Sequence, residues 1–138
     1  MSFLLDTNVV SELRRRSPNE RVVAWFEQVR ADDLYLSALT IGEIRQGIEQ
    51  LRLKDPTAAC RLDEWQAGLV SAYRDRIVAV DAAIAELWGR LNVPDRVPTI
   101  DGLLAATVLV HDWTLVTRNV DDVVRTGART LNPFEYVA

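Results

Sequence analysis

Residues 3–8 read Phe3-Leu4-Leu5-Asp6-Thr7-Asn8, an apolar run stopped by a carboxylate. Three such apolar residues suit a buried strand, but an aspartate directly after them is costly to bury without a partner. Val9, Val10 and Leu13 then recur at helical spacing. A carboxylate at the C-terminal end of a strand, just before a helix, stands where open parallel sheets build their sites. Asp6 therefore raises the question of which cation, or which proton, accompanies it.

Outward from this stretch, short strands and helices alternate. Ser17, Pro18 and Glu20 read as an N-cap, a first-turn proline and a capping-box acid. The helix they open carries Val22, Val23, Trp25, Phe26 and Val29. Leu34, Tyr35 and Leu36 predict a second strand, and Ile41, Ile44, Ile48 and Leu51 stripe the next helix. Asp55 and Pro56 open a further helix that runs to about Tyr73. Ile77, Val78 and Val80 predict a third strand, and Asp81 caps a helix with Ile84, Leu87, Trp88 and Leu91. Residues 92–98, N-V-P-D-R-V-P, form a loop. From Ile100 to Val110 the chain is apolar apart from Asp101 and Thr107, which predicts a helix buried on most sides. Leu115 and Val116 give a fourth strand, and a last short one lies near Arg129 to Leu131. This order predicts one α/β domain over residues 1–138: three α/β/α layers on a central parallel sheet of about five short strands.

Composition narrows the function. A chain of 138 residues with 49% hydrophobic and 26% charged content is an ordinary globular domain. No apolar run reaches membrane-spanning length, and the single cysteine, Cys60, suits a reducing cytoplasm and reads as helix filler. The net charge of −4 argues against a purely electrostatic nucleic-acid binder. Every cation but Lys54 is an arginine, and Arg14, Arg15 and Arg16 form a run that reads as a solvated helix end, with a phosphate contact as the weaker alternative. His111, the only histidine, reads as a helix C-cap rather than a base. Trp25, Trp65 and Trp88 read as core or subunit interface, and Gly42 and Gly47 as allowing close helix packing.

Asp101 repeats the puzzle of Asp6, in the first turn of the most apolar helix. Glu43 is a third acid. Thr40 and Glu43 are spaced as a capping box, so spacing alone reads Glu43 as a cap as readily as a ligand. After the fourth strand, Arg118-Asn119-Val120-Asp121-Asp122 adds further polar groups. In a parallel sheet these points gather along one edge. Carboxylates brought together there raise one another's pKa unless a divalent cation intervenes. Oxygen donors without a His/Cys set favour Mg²⁺ or Mn²⁺ over zinc, and phosphodiester hydrolysis follows as the reaction class.

These residues match a known pattern. The chain resembles PIN-domain ribonucleases, in particular toxins of the VapC/FitB type. L-L-D-T-N-V-V-S-E-L carries the first motif, Y-L-S-A-L-T-I-G-E-I-R-Q-G the second, and T-I-D-G-L-L-A-A-T the third. L-V-T-R-N-V-D-D and the later L-N-P-F complete it. The resemblance implies a Mg²⁺-dependent endoribonuclease that hydrolyses RNA with metal-activated water. Asp6, Glu43 and Asp101 would hold the metal and Asp122 would complete the catalytic set, with Asn119 as a neutral second ligand or orienting group. Asp121 is the alternative to Asp122, because Asn119 stands where some relatives have an acid. Thr7, Asn8 and Thr117 are candidate accessory residues. The resemblance further implies a cytoplasmic homodimer held inactive by a cognate antitoxin, a small DNA-binding protein with an inhibitory C-terminal segment. Such a segment can insert an arginine among the site carboxylates. The competing expectations are a catalytically silent PIN-like binding module and, further off, a metal-dependent phosphatase or receiver-like domain.

Overall fold

The computed structural model describes residues 1–138. The chain begins with β1 (Phe3–Leu5), α1 (Thr7–Leu13) and α2 (Glu20–Gln28). There follow β2 (Leu34–Ser37), α3 (Ala38–Arg52), α4 (Pro56–Tyr73) and β3 (Ile77–Val78). The second half holds α5 (Ala82–Leu91), α6 (Thr99–His111), β4 (Thr114–Val116), α7 (Val120–Val123) and β5 (Thr130–Leu131). All strand pairs are parallel, in the spatial order β3-β2-β1-β4-β5. The chain therefore works outward from β1 to one side, then returns to lay β4 on the other. The crevice between the C-terminal ends of β1 and β4 is the topological switch point, where open α/β sheets bind ligands.

Alternation along β1 divides the core. Leu5 joins Val9, Val10, Trp25, Leu36, Ile44, Ile48 and Val116 on one face, under α1 to α4. Leu4 joins Leu104, Ala105, Val108, Leu115 and Val123 on the other, under α6 and α7. Each fully buried leucine contributes roughly 1.5–3 kcal/mol, so a one-residue slip of β1 would forfeit both faces at once. The expected three-layer α/β/α architecture on a five-stranded parallel sheet is the one found.

Several local readings need correction. Asn19, not Ser17, caps α2: its Oδ1 accepts from Arg21 N at 2.9 Å and Val22 N at 3.3 Å, which leaves Pro18 outside the helix. The third strand stops at Val78, and Val80 is exposed. Gly42 and Gly47 pack against nothing, since a Cβ on either would meet open space. Gly102 is the glycine that permits a close approach, because a Cβ there would stand 3.2 Å from the Trp88 ring. Cys60 lies exposed on α4 and His111 exposed at the end of α6, stacked on Trp113 with ring centroids 4.3 Å apart. Of the tryptophans, Trp25 is core, whereas Trp65 and Trp88 are partly exposed. Asp55 and Asp81 do cap α4 and α5, accepting from Ala58 N at 3.1 Å and Ile84 N at 2.9 Å.

Candidate active site

Register places the first two groups. Leu5 of β1 pairs with Val116 of β4, and Asp6 N continues that ladder to Val116 O at 2.9 Å. The next residue on each strand, Asp6 and Thr117, therefore emerges side by side at the switch point. Thr117 Oγ1 donates to Asp6 Oδ2 at 2.7 Å and accepts from Asn119 N at 2.9 Å. Asn8 Nδ2 donates to the same Asp6 oxygen at 3.2 Å, and Thr7 N donates to Asp6 Oδ1 at 2.7 Å. Asp6 is only 4% exposed, and burial raises its pKa despite these three donors, each of which pulls it down.

Glu43 reaches the same place from α3. The helix starts at Ala38 with Ser37 as its cap, whose Oγ accepts from Leu39 N at 3.1 Å. Glu43 is thus in the second turn, beyond the reach of a capping box, and Thr40 is buried with an unpartnered hydroxyl. The capping reading of Glu43 fails on this geometry. Its Oε1 instead accepts from Thr7 Oγ1.

Asp101 enters from the first turn of α6. Asn92 fixes the approach by donating to Trp88 O at 2.8 Å and accepting from Val97 N at 3.0 Å across the loop. The missing side chain at Gly102 then lets Trp88 pack closely against the first turn of α6, next to Asp101 in the chain. Asp101 is pushed up to about pKa 6, first by burial and then by the negative charges of Asp6, Asp122 and Glu43. Four acids from four segments thus act on one spot.

Asp6, Thr7, Asn8, Glu43, Asp101 and Asn119 line one open cavity of about 510 Å³, with Pro98, Thr99 and Ile100 as its remaining wall. Thr117 is buried behind Asp6 rather than in the wall. Asp121 and Asp122 are exposed on α7, and Asp122 is the one whose charge reaches Asp101. Sequence reasoning missed the Pro98–Thr99 wall, although Thr99 opens the T-I-D-G stretch and Pro98 directly precedes it. A larger cleft of about 870 Å³ between α3 and α4 contains none of these acids. Chemistry, not size, singles out the site.

The PIN domain family matches residues 3–127. The chain belongs to the PIN domain family. The PIN domain here is 32% identical over 137 residues to Toxin FitB of Neisseria gonorrhoeae, covering 96% of this chain and 98% of that protein. It is 29% identical to VapC ribonuclease Y4jK of Sinorhizobium fredii, covering 96% of this chain and 98% of the relative. A solved structure of FitAB bound to an IR36 DNA fragment superposes with a TM-score of 0.88 at 31% identity, over 99% of this chain and 98% of that one. The PIN fold, with its acids at the switch point, agrees with the resemblance to the VapC/FitB type drawn from the motifs. No helix is long and apolar enough to cross a membrane.

Proposed function

We propose that this PIN domain is a Mg²⁺-dependent endoribonuclease and the toxin of a type II toxin–antitoxin pair. The observation that carries the reading is the convergence of Asp6, Glu43 and Asp101 on one cavity, with Asp101 held near pKa 6 by burial and, after it, by its acidic neighbours. Excess negative charge of this kind is relieved by a cation or by protonation. The names of the relatives, a toxin and a VapC ribonuclease, support the substrate class.

The donor set fits a hard divalent ion. All the groups are oxygens, and Mg²⁺ keeps several waters and needs only one or two carboxylates. No three Asp, Glu, His or Cys side chains stand close enough to share one ion directly. Asp6, Glu43 and Asp101 would therefore hold it partly through its own waters, Mn²⁺ would substitute, and Asp122 with Asn119 would complete the far side. When bound, the ion supplies positive charge to the phosphate oxygens and acidifies the attacking water.

The protein's own contribution is orientation. Thr117, Asn8 and the Thr7 N–H fix both oxygens of Asp6, and the Thr7 hydroxyl fixes one oxygen of Glu43. Asn119 presents a neutral amide at the rim, where it can donate to a phosphate oxygen without adding repulsion. Nothing in this arrangement requires the 2′-hydroxyl of the RNA as nucleophile. A homodimer, and inhibition by an antitoxin carrying an arginine to these carboxylates, complete the proposal.

The test is cleavage of RNA by purified protein with Mg²⁺, with EDTA, and after Asp6→Asn or Asp101→Asn. Cleavage should need the metal and both acids, and persistence in EDTA or in either variant would overturn the reading. No cleavage by folded, Mg²⁺-loaded protein would leave the silent binding module. Co-purification with the product of an adjacent reading frame tests the antitoxin.

A further inference from the structure

The acids leave open how a protein of net charge −4 holds a polyanion. Many of its arginines are neutralised locally: Arg45 and Arg52 share Asp63 and Glu49, and Arg15 pairs with Glu12. Arg14 and Arg118 form no close ion pair although both are exposed, with Glu12 facing Arg118 only at longer range, and each rests on an aromatic ring instead. The Arg14 guanidinium lies 5.9 Å from the Trp65 ring centroid, and that of Arg118 lies 4.3 Å from the Phe134 centroid. Such a seat restrains the side chain while leaving the fork of donors free.

Both arginines flank the acids. Arg14 and Trp65 line a narrow groove of about 310 Å³ between α1, α3 and α4. Its other end is formed by Thr7 and Glu43, the residues it shares with the acidic cavity. Arg118 stands between Thr117, which binds Asp6, and Asn119, which lines that cavity. Aromatic surface, free cations and a groove opening into the acidic cavity are the parts from which single-strand binding sites are built.

We propose that Arg14 and Arg118 are substrate-binding residues that grip the phosphates of a single-stranded RNA on either side of the cleaved bond, with the Arg14–Trp65 groove carrying one arm of the strand. This rests on the endoribonuclease reading. Arg14 supplies a cation that the acidic cavity lacks, and the groove confines affinity to strands that pass the acids. Trp65 adds a face on which a base can stack once the arginine turns to the phosphate.

The test measures binding of a short labelled single-stranded RNA to Asp101→Asn protein with Mg²⁺ over a salt series. Arg14→Ala and Arg118→Ala should each weaken binding about tenfold, as expected for one charge-assisted contact. Each should also flatten the slope of log affinity against log salt by about 0.7, the value for one phosphate of a single strand. Arg14→Lys and Arg118→Lys should recover the slope, and Arg45→Ala should leave both quantities unchanged. In the active protein the alanine variants should raise KM and spare kcat. Unchanged affinity and slope in both alanine variants overturns the clamp and leaves the groove to a protein partner. Cleavage with an arginine-independent KM overturns the clamp alone. Absence of cleavage alongside arginine-dependent RNA binding overturns the nuclease reading alone.

Discussion

Asp6 and Glu12 stand at opposite ends of α1, and both are nearly buried, at 4% and 7% exposed. Their environments push them in opposite directions. Glu12 accepts from Asn19 N at 2.9 Å and from Arg15 at 3.2 Å, and these partners, the backbone N–H foremost, hold its pKa below the ordinary value. Asp6 accepts as many hydrogen bonds, from three different residues, yet burial still raises its pKa. The difference lies in what each carboxylate lacks. Glu12 has its cation in the chain and so ties the end of α1 to the start of α2. Asp6 has none, and its nearest acidic company is Asp101 and Glu43. A buried acid supplied with a cation reads as structure, and one without reads as a place for something that arrives.

The sharpest way to break this comparison is to remove charge at Glu12 and, separately, among the acids gathered around Asp6. Asp101→Asn should lower RNA cleavage by more than about a hundredfold, since supporting residues of metal sites already cost 10–100-fold. Glu12→Gln should leave cleavage within about twofold while lowering stability by about 1 kcal/mol, the worth of a weakened hydrogen bond to charge. Cleavage assays and urea unfolding of both proteins decide it, and loss of activity in Glu12→Gln would erase the distinction.

A finer cut removes the support and keeps the acid. Thr117→Val preserves volume but deletes the hydroxyl that fixes Asp6. Activity should fall about 10–100-fold through weaker Mg²⁺ affinity, and raising Mg²⁺ should restore part of it. Within α7, Asp122→Ala should cost more activity than Asp121→Ala, because only Asp122 acts on Asp101. A loss confined to Asp121→Ala would overturn that assignment.

How much of this was legible beforehand follows from range. The strands, the helices and the parallel sheet covered on both faces came from periodicity, because short apolar strands and the apolar run of α6 are local signals. The strand order that sets the switch point depends instead on long-range pairing. Asp6 and Asp101 were visible because each breaks an apolar stretch. Glu43 was not decidable by spacing, since a cap at Ser37 rather than Thr40 is a matter of about one turn, and that turn decides between cap and ligand. Glu12 was invisible: nothing in S-E-L-R-R reveals that an N–H seven residues on will bind it. The Trp88–Gly102 contact, next to Asp101 in the chain, joins two helices, and Gly42 and Gly47 misled because a helical glycine looks the same whether packed or bare.

The smallest effect concerns stability at the acidic end. Asp101 moves from an ordinary 3.8 to about 6, so the folded state holds this proton more tightly than the unfolded state does. Stability must then decline as pH rises from 3.8 towards 6, and the deficit remains in full above that range. Removing the charge removes the deficit. Without metal at neutral pH, Asp101→Asn should be the more stable protein by about 1 kcal/mol, a figure discounted for the solvent that screens this half-exposed group. The advantage should shrink as pH falls, and Mg²⁺ should stabilise the unmodified chain but not the variant. Glu12 predicts the reverse slope: its contribution is complete above the ordinary 4.5 and is lost as pH falls through its lowered value. Urea unfolding of both variants across pH, with EDTA and with Mg²⁺, therefore separates Glu12 from the acids gathered around Asp6 by sign. An Asp101→Asn protein less stable than its parent in EDTA would show that this acid serves the fold, as Glu12 does.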